Sequence, residues 1–271
     1  MKYISTKVPR VFDKYKVTGE SKYIHDIELP NMLYLYIVRS SVPHGVIKRI
    51  DYSKLASRDF IKFIFSGKDV KLGNIGILKD QPPLKYPKVR SVGDEILAIV
   101  TTDLDKTRKY VESDLELVID ELPAVFDPIE ALKPNAPLVH EELGTNIVNL
   151  NFNVTAGDIE KALNESYMVL EEEYMVPRVS HSPMGTLGAI AYVDNNGLLN
   201  LISNTQEPYQ LKKELSESLG LDARKIKIIQ PDIGGTFGRG MDIYPFEVIA
   251  SYAALRVKKP IKIENERNEH L

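Results

Sequence analysis

The amino-acid sequence predicts a mixed α/β fold. Short apolar runs that favour β-strands alternate with polar stretches whose apolar residues follow helical spacing. Two apolar runs flank an Asn-Gly pair at residues 196–197, which is typical of a tight hairpin turn. Leucines at positions 211, 215 and 219 recur every four residues and predict an amphipathic helix. The 271 residues are enough for about two domains.

The first half of the chain contains four predicted strands and one long helix. Each strand is an apolar or alternating run, and the strands are predicted over 32–38, 60–65, 95–100 and 115–119. Residues 103–113 have helical spacing, and the Asp103 carboxylate is placed to accept from the exposed N–H groups of the first turn. Proline-containing stretches at 81–87 and 132–137 indicate loops.

The second half repeats this alternation of strands and helices. After a crossing segment at 132–151, a helix, a hairpin, a helix, a strand, a helix and a strand are predicted in that order. These elements are expected at 158–165, 189–193, 198–203, 211–219, 225–229, from Pro245 to 255 and at 260–263. Gly220 is expected to end the leucine-rich helix, because glycine adopts the left-handed conformation of a C-cap without strain.

The charge balance and the composition exclude several classes of function. The 38 acidic and 35 basic residues leave a net charge of −3, which gives no reason to expect a nucleic acid or a membrane surface as a partner. No apolar run reaches the roughly 20 residues of a membrane span, and no secretory signal is recognisable, so we expect a cytoplasmic protein. The absence of cysteine excludes disulfides, thiolate zinc sites and cysteine-ligated iron–sulfur clusters within the chain.

A glycine-rich loop has the clearest chemical meaning of any local feature. Four of the seven residues from Gly234 to Gly240 are glycine, and the loop lies between a predicted strand and a predicted helix. Glycine lets backbone N–H groups approach a ligand closely, so such a loop suits an anion or a phosphate. The spacing matches neither a P-loop nor Gly-x-Gly-x-x-Gly, and a tight structural turn is the alternative interpretation.

Other polar residues give weaker indications. Gln206 follows a predicted strand, where its amide is able to bond an oxo or phosphate group or simply begins a helix before Pro208. The five histidines do not pair at metal-ligand spacing, and no Ser-His-Asp set is recognisable. The residues by themselves therefore identify no catalytic group and no direct metal ligand.

Several short motifs follow one another in a fixed order. In the first half they are KVTG at 16–19, DIELPNMLY at 26–34, VRS at 38–40, VGDE at 92–95 and ELPAV at 121–125. In the second half they are PLVHE at 137–141, HSPM at 181–184, TQEP at 205–208, the loop at 234–240, DIYP at 242–245 and ERNEH at 266–270. In this order they resemble the N-terminal part of the molybdenum-binding large subunit of the xanthine dehydrogenase, aldehyde oxidoreductase and carbon monoxide dehydrogenase family.

The resemblance implies an α/β hammerhead domain over residues 1–130, followed over 131–271 by the first part of a molybdopterin-binding domain. It implies a molybdenum atom on a pterin dithiolene, often as the cytosine dinucleotide in prokaryotes. The family hydroxylates aldehydes or N-heterocycles with oxygen derived from water, or oxidises carbon monoxide. By resemblance, Gln206 and Phe237 lie near the molybdenum, and the cofactor-binding residues are Gln206, Gly234, Gly235, Thr236, Phe237 and Gly238.

Three positions depart from the family pattern. Thr236 and Arg239 stand at variable places of the loop where the family has small residues, and Arg239 puts a bulky cation beside the site. Gly185-Thr186 follows Met184 where the family has Glu-Pro, which removes a carboxylate. Met241 takes about the place of a substrate-facing glutamate of some members, which argues against purine-type recognition there.

The family's large subunits also extend beyond the part that this chain resembles. By resemblance, the remainder supplies most pterin contacts and a glutamate base, for which no residue here is assigned. We therefore expect part of a molybdenum hydroxylase, acting on a small molecule and inactive alone. It would need a chain carrying the C-terminal half, with iron–sulfur and FAD subunits. A truncated fragment, a non-catalytic binding or assembly module, or an unrelated α/β protein with a structural glycine turn are the alternatives.

Overall fold

The computed structural model describes residues 4, 7, 10–148 and 154–270 and divides the chain into two compact units. One unit comprises Met1–Leu122 with His181–Leu271, and the other comprises Pro123–Ser180. The strands are β1 (Leu33–Arg39), β2 (Gly45–Asp51), β3 (Ile61–Ser66), β4 (Lys88–Val89), β5 (Glu95–Thr101), β6 (Glu116–Glu121), β7 (Gly188–Val193), β8 (Leu199–Ser203), β9 (Ile226–Ile229) and β10 (Ile261–Glu264). The α-helices are α1 (Asp13–Thr18), α2 (Ser53–Ala56), α3 (Leu104–Asp114), α4 (Pro128–Ala131), α5 (Ile159–Glu165), α6 (Pro208–Leu219) and α7 (Pro245–Val257). Short 3₁₀ helices occur at Ile24–Asp26, Glu141–Leu143, Ala223–Lys225 and Arg267–His270.

The larger unit is built on a seven-stranded sheet with the strand order β3-β5-β1-β10-β7-β8-β9. Strand β1 pairs antiparallel with β5 and parallel with β10, so the sheet joins strands from both halves of the chain. Strands β8 and β9 are parallel neighbours. Because the carboxyl ends of adjacent parallel strands lie at one edge of a sheet, the segments after β8 and β9 come together there. A second sheet has the order β4-β2-β6.

The main core of this unit lies between the seven-stranded sheet and helices α6 and α7. Leu211 and Leu215 of α6 are buried in it, as the four-residue spacing predicts. Helix α7 carries the buried small residues Ala250, Ala253 and Ala254, which let it pack closely on β7 and β10. Strand β5 is buried along its whole length, because it lies between two neighbours and is apolar on both faces.

The predicted α/β alternation is confirmed in its main elements. The strands and helices lie within a few residues of their expected positions, as is usual for element ends. The Asp103 side chain accepts from the Lys106 N–H at 3.0 Å, and Gly220 has the left-handed φ of +63° expected of a C-cap. Strand β2 was not predicted, because Lys48 and Arg49 interrupt its apolar pattern where the pairing with β6 is irregular.

The smaller unit contains α4, α5 and the 3₁₀ helix at Glu141–Leu143. The predicted helix at 158–165 is confirmed as α5, and Asp158 caps it by accepting from the Lys161 N–H. Residues 149–151 of the expected crossing segment lie outside the described part. None of the described residues between 123 and 180 is buried. The domain boundary expected at residue 130 stays a prediction. Across the described ranges, no helix is long and apolar enough to span a bilayer.

Candidate functional site

The glycine loop and Gln206 meet at one edge of the seven-stranded sheet. Gln206 lies between β8 and α6, and residues 234–240 lie between β9 and α7. The backbone N–H of Gln206 donates to the Gly240 carbonyl at 2.7 Å, and its side-chain Nε2 donates to the Arg239 carbonyl at 2.9 Å. Gln206 thereby fixes the end of the loop, and its amide nitrogen keeps a second hydrogen for another acceptor.

The start of the loop packs directly on the backbone of residues 183–186. The Gly185 N–H donates to the Gly234 carbonyl at 3.0 Å. A Cβ atom on Gly234 would lie 2.8 Å from the Cα and N atoms of Gly185, and one on Gly185 would lie 3.0 Å from the Gly234 Cα. The distance from position 234 is too short for a side chain, so this position requires glycine, whereas a side chain at position 185 would have to push the Gly234 backbone aside.

The middle of the loop has an unusual backbone conformation. Gly235 and Gly238 have φ values of +101° and +98°, and Phe237 has a φ of +56°. A left-handed phenylalanine is uncommon, because its Cβ crowds the backbone there. The Thr236 carbonyl accepts from the Arg239 N–H at 3.2 Å and closes the turn. The Phe237 ring is 72% exposed, which places a large apolar group at the surface of the loop.

Four consecutive N–H groups of the loop are unpaired. Within the described chain, the backbone N–H groups of Gly235, Thr236, Phe237 and Gly238 have no hydrogen-bond acceptor. The loop is partly exposed, and its conformation is held by other groups. Successive unpaired backbone N–H groups are able to donate to an anionic group. The donor set therefore fits a phosphate-bearing or oxo-bearing cofactor, and the binding of such a cofactor here stays a prediction.

Two arginines hold the segment opposite the loop. The Arg239 guanidinium donates to the Gly185 carbonyl at 3.0 Å, so this cation connects the loop to the segment at 183–186. Arg267 donates to the carbonyls of Pro183 and Met184 at 2.7 and 2.6 Å. Burial lowers the pKa of Arg239. The sequence analysis included Arg267 in the motif at 266–270 but gave it no role, because nothing local links it to residues 183–185.

A buried carboxyl group at the start of α7 is connected to the end of the loop through Tyr244. Glu247 accepts from the Ser203 hydroxyl at 2.5 Å and from the Tyr244 N–H at 2.8 Å. Burial raises the pKa of Glu247 to about 7. The Tyr244 hydroxyl in turn accepts from the Gly240 N–H at 3.2 Å, which connects the helix start to the loop. Glu247, three residues after the N-cap residue Tyr244, is a capping signal that sequence reasoning missed.

The remaining residues singled out in the sequence surround the loop. A Cβ on Gly238 would lie 3.7 Å from His181 Nε2, so this histidine is near the loop. The Met184 and Met241 side chains are 91% and 50% exposed. Thr186 is 2.7 Å from Nε2 of His25, a contact between residues distant in sequence. In the described parts of the chain, no three His, Cys, Asp or Glu side chains form a group able to hold a metal ion.

Comparison with known proteins connects this geometry to a family. Residues 18–113 match the α/β hammerhead domain of aldehyde oxidase and xanthine dehydrogenase, and residues 139–271 match the molybdopterin cofactor-binding domain. The hammerhead and molybdopterin-binding domains expected from the sequence are therefore confirmed.

Curated proteins and solved structures agree with these matches. The chain is 35% identical to a probable xanthine dehydrogenase subunit of Bacillus subtilis (strain 168), over 94% of this chain and 34% of that protein. It is 30% identical to the nicotinate dehydrogenase large molybdopterin subunit of Eubacterium barkeri, over 94% of this chain and 59% of that one. The crystal structure of quinoline 2-oxidoreductase from Pseudomonas putida 86 superposes with a TM-score of 0.87 at 25% identity, covering 98% of this chain and 35% of that one.

The chain corresponds to only part of these proteins. It spans 34% of the length of several of the curated relatives and 59% of another. Within that part, both domain matches and the motif order agree. The chain belongs to the family of molybdopterin-binding large subunits of xanthine dehydrogenases, aldehyde oxidoreductases and carbon monoxide dehydrogenases.

Proposed function

We propose that the glycine loop and Gln206 form part of the molybdenum-pterin site of a molybdenum hydroxylase. The observation that carries this proposal is the row of unpaired N–H donors from Gly235 to Gly238, held in place on a backbone-to-backbone contact between Gly185 and Gly234. A buried anionic cofactor needs such donors, because they neutralise its charge without rearranging.

The residues of the chain have separate parts in this proposal. Gly234, Gly235, Thr236, Phe237 and Gly238 bind the cofactor through their backbone. Gln206 hydrogen-bonds an oxygen near the metal with the hydrogen that it does not use on the Arg239 carbonyl. The bound group supplies the two-electron redox centre at which the family's hydroxylases insert oxygen derived from water. No residue of this chain is assigned the role of the catalytic base.

The proposed enzyme needs further polypeptides. A second chain supplies the rest of the molybdenum-binding half, and iron–sulfur and FAD subunits carry the electrons away. The relatives support a divided large subunit, because the chain covers 59% of the nicotinate dehydrogenase subunit but 34% of the xanthine dehydrogenase subunit. The nicotinate dehydrogenase subunit is therefore much shorter than the xanthine dehydrogenase subunit. The substrate class is an aldehyde, carbon monoxide or an N-heterocycle, the cofactor form is the cytosine dinucleotide, and the location is cytoplasmic.

Purification of the tagged chain from its native host tests this function. We expect about one molybdenum and one pterin per chain in the complex, measured by elemental analysis and pterin fluorescence. Gln206→Ala should lower the activity of the complex by 10-fold or more, because one oriented donor is lost. Gln210→Ala, on the exposed face of α6, is the matched control and should change nothing. A complex without molybdenum or pterin would contradict the proposal and favour the non-catalytic assembly module.

A further inference from the structure

Three polar side chains that are distant in sequence form a row within the larger unit. Thr186 Oγ1 lies 2.7 Å from Nε2 of His25, and Nδ1 of His25 lies 3.3 Å from Oε2 of Glu264. The row therefore has the order hydroxyl, imidazole, carboxylate. This is the order of a nucleophile, the base that activates it and the group that orients the base.

The seven-stranded sheet brings the three residues together. Thr186 lies two residues before β7 and Glu264 ends β10, and these two strands are antiparallel neighbours. His25 lies in the 3₁₀ helix at Ile24–Asp26, whose Ile24 side chain is buried in one cluster with apolar residues of β7 and β8. The positions of all three side chains thus depend on the same part of the sheet.

A buried lysine supports the carboxylate and the imidazole. Lys262 is 4% exposed, and its ammonium group forms an ion pair with Glu264 and donates to the His25 and Ile27 carbonyls at 3.0 and 3.3 Å. One charged group therefore holds both the carboxylate and the backbone that carries the imidazole. Because a carboxylate only accepts, Glu264 favours the tautomer with hydrogen on Nδ1, which leaves Nε2 able to accept from the Thr186 hydroxyl.

The row has the access and the donor that an acyl-transfer reaction needs. The His25 and Glu264 side chains are 38% and 40% exposed, and Thr186 is half-buried. The Thr186 N–H has no acceptor within the described chain. It is able to donate to the oxygen anion that forms when the hydroxyl of the same residue attacks a carbonyl carbon.

We infer that Thr186, His25 and Glu264 form a second site, which hydrolyses esters of small carboxylic acids through an acyl-threonine. His25 Nε2 takes the hydroxyl proton as Thr186 Oγ1 bonds to the ester carbonyl carbon. The same proton passes to the alcohol oxygen as the ester C–O bond breaks. Water then attacks the acyl group, again with His25 as base, and releases the carboxylic acid and the free threonine. No redox centre takes part, so this activity goes beyond the function proposed above.

Hydrolysis of 4-nitrophenyl acetate by the full chain tests the site. We expect steady release of nitrophenol, which acetylation of lysines does not sustain, and an acetyl group on Thr186 in peptide mass spectrometry after acid quenching. Thr186→Val and His25→Gln should each slow the steady release at least about 100-fold, because they remove the nucleophile and the base. Thr186→Ser keeps the hydroxyl and should keep the activity.

The folded state of these variants is checked by circular dichroism, and we expect it to be unchanged because the substituted side chains are partly exposed. His140→Gln is the matched control, since the His140 imidazole also lies 3.0 Å from a carboxylate, that of Glu142, and it should leave the hydrolysis unchanged. Acetyl groups on lysines alone, or an unchanged steady rate in Thr186→Val, would overturn the inference. An equal loss of activity in His140→Gln would overturn it as well.

Glu264 is a positioning residue in this site, and Glu264→Gln tests that role. The carboxylate orients the imidazole without touching the ester, so kcat should fall about 10-fold or more while KM changes by less than about 2-fold. A variant that raised KM and kept kcat would contradict the positioning role of Glu264.

Discussion

The buried carboxyl group of Glu247 makes folding of the larger unit dependent on pH. The pKa of Glu247 is raised from 4.5 to about 7 by burial, against the opposing hydrogen bonds from Ser203 and the Tyr244 N–H. Below pH 4.5 the group is protonated in both the folded and the unfolded chain. As the pH rises to 7, the unfolded chain loses the proton first, so the free energy of unfolding falls and the loss is complete above pH 7.

Glu247→Gln removes this dependence. The amide oxygen of glutamine is able to accept from the Tyr244 N–H, and its NH₂ group is able to donate to the Ser203 hydroxyl, so the buried hydrogen bonds are kept. The difference between the pKa of Glu247 in the unfolded chain and in the folded chain corresponds to about 3 kcal/mol in the free energy of unfolding. The variant should therefore match the parent at pH 4.5 and be more stable by about 3 kcal/mol at pH 8. For a unit of this size that is roughly 6–12 °C in Tm.

Urea unfolding at pH 5 and pH 8, followed by circular dichroism, measures this difference. Glu112→Gln, an exposed glutamate on α3, is the control and should change the free energy of unfolding by less than about 0.5 kcal/mol at either pH. If the Glu247→Gln variant differed from the parent by the same amount at both pH values, the buried carboxyl would not carry the pH dependence. Instability of the variant at pH 8 would also refute the reasoning.

Two further predictions concern the loop and the ion pairs of the buried Asp114 side chain. Gly234→Ala forces the backbone away from Gly185, so it should destabilise by about 1–3 kcal/mol and lower the molybdenum content of the complex. Gly197→Ala, at a turn with open space around it, should cost about 1 kcal/mol through its φ of +78° and leave the molybdenum content unchanged. Asp114 has a pKa held below 3.8, chiefly by the hydrogen bond from Lys54. Asp114→Asn should therefore destabilise at pH 7, and urea titrations should show this difference shrinking as the pH falls below 3.8.

The large sheet was predictable because its strands carry their own signals. Apolar runs and helical spacing identify β5, β8, α6 and α7, because these elements bury continuous faces. Strand β2 carries no such signal, since its central residues are charged and its partners are distant in the chain. Local pattern also gives no strand order, so the pairing of β1 with β10 could not be predicted from it.

The candidate site was predictable in its parts but not in its assembly. Glycine density identified the loop, and the position of Gln206 after a strand marked its amide. Their contact depends on β8 and β9 being parallel neighbours, which is a tertiary fact. The same is true of the Gly185–Gly234 contact and of Arg267, whose partners lie in a different part of the chain. Resemblance to a family supplied the order of these motifs, but the hydrogen bonds that link them come from the fold.

The hydrogen bonds also bear on whether the departures from the family pattern are decay of a site. Arg239 and Gly185 both depart from that pattern, and the structure pairs them, because the Arg239 guanidinium donates to the Gly185 carbonyl. Because residue 185 is glycine, the backbone of Gly234 is able to lie close to the backbone of Gly185. The Arg239 carbonyl, meanwhile, accepts from Gln206. Side chains and the Gly185 N–H thus hold the loop, while the N–H groups at its tip stay unpaired. A loop fixed in this way has N–H donors available to an anion without first breaking bonds of its own, which supports the cofactor site proposed above over a decayed one.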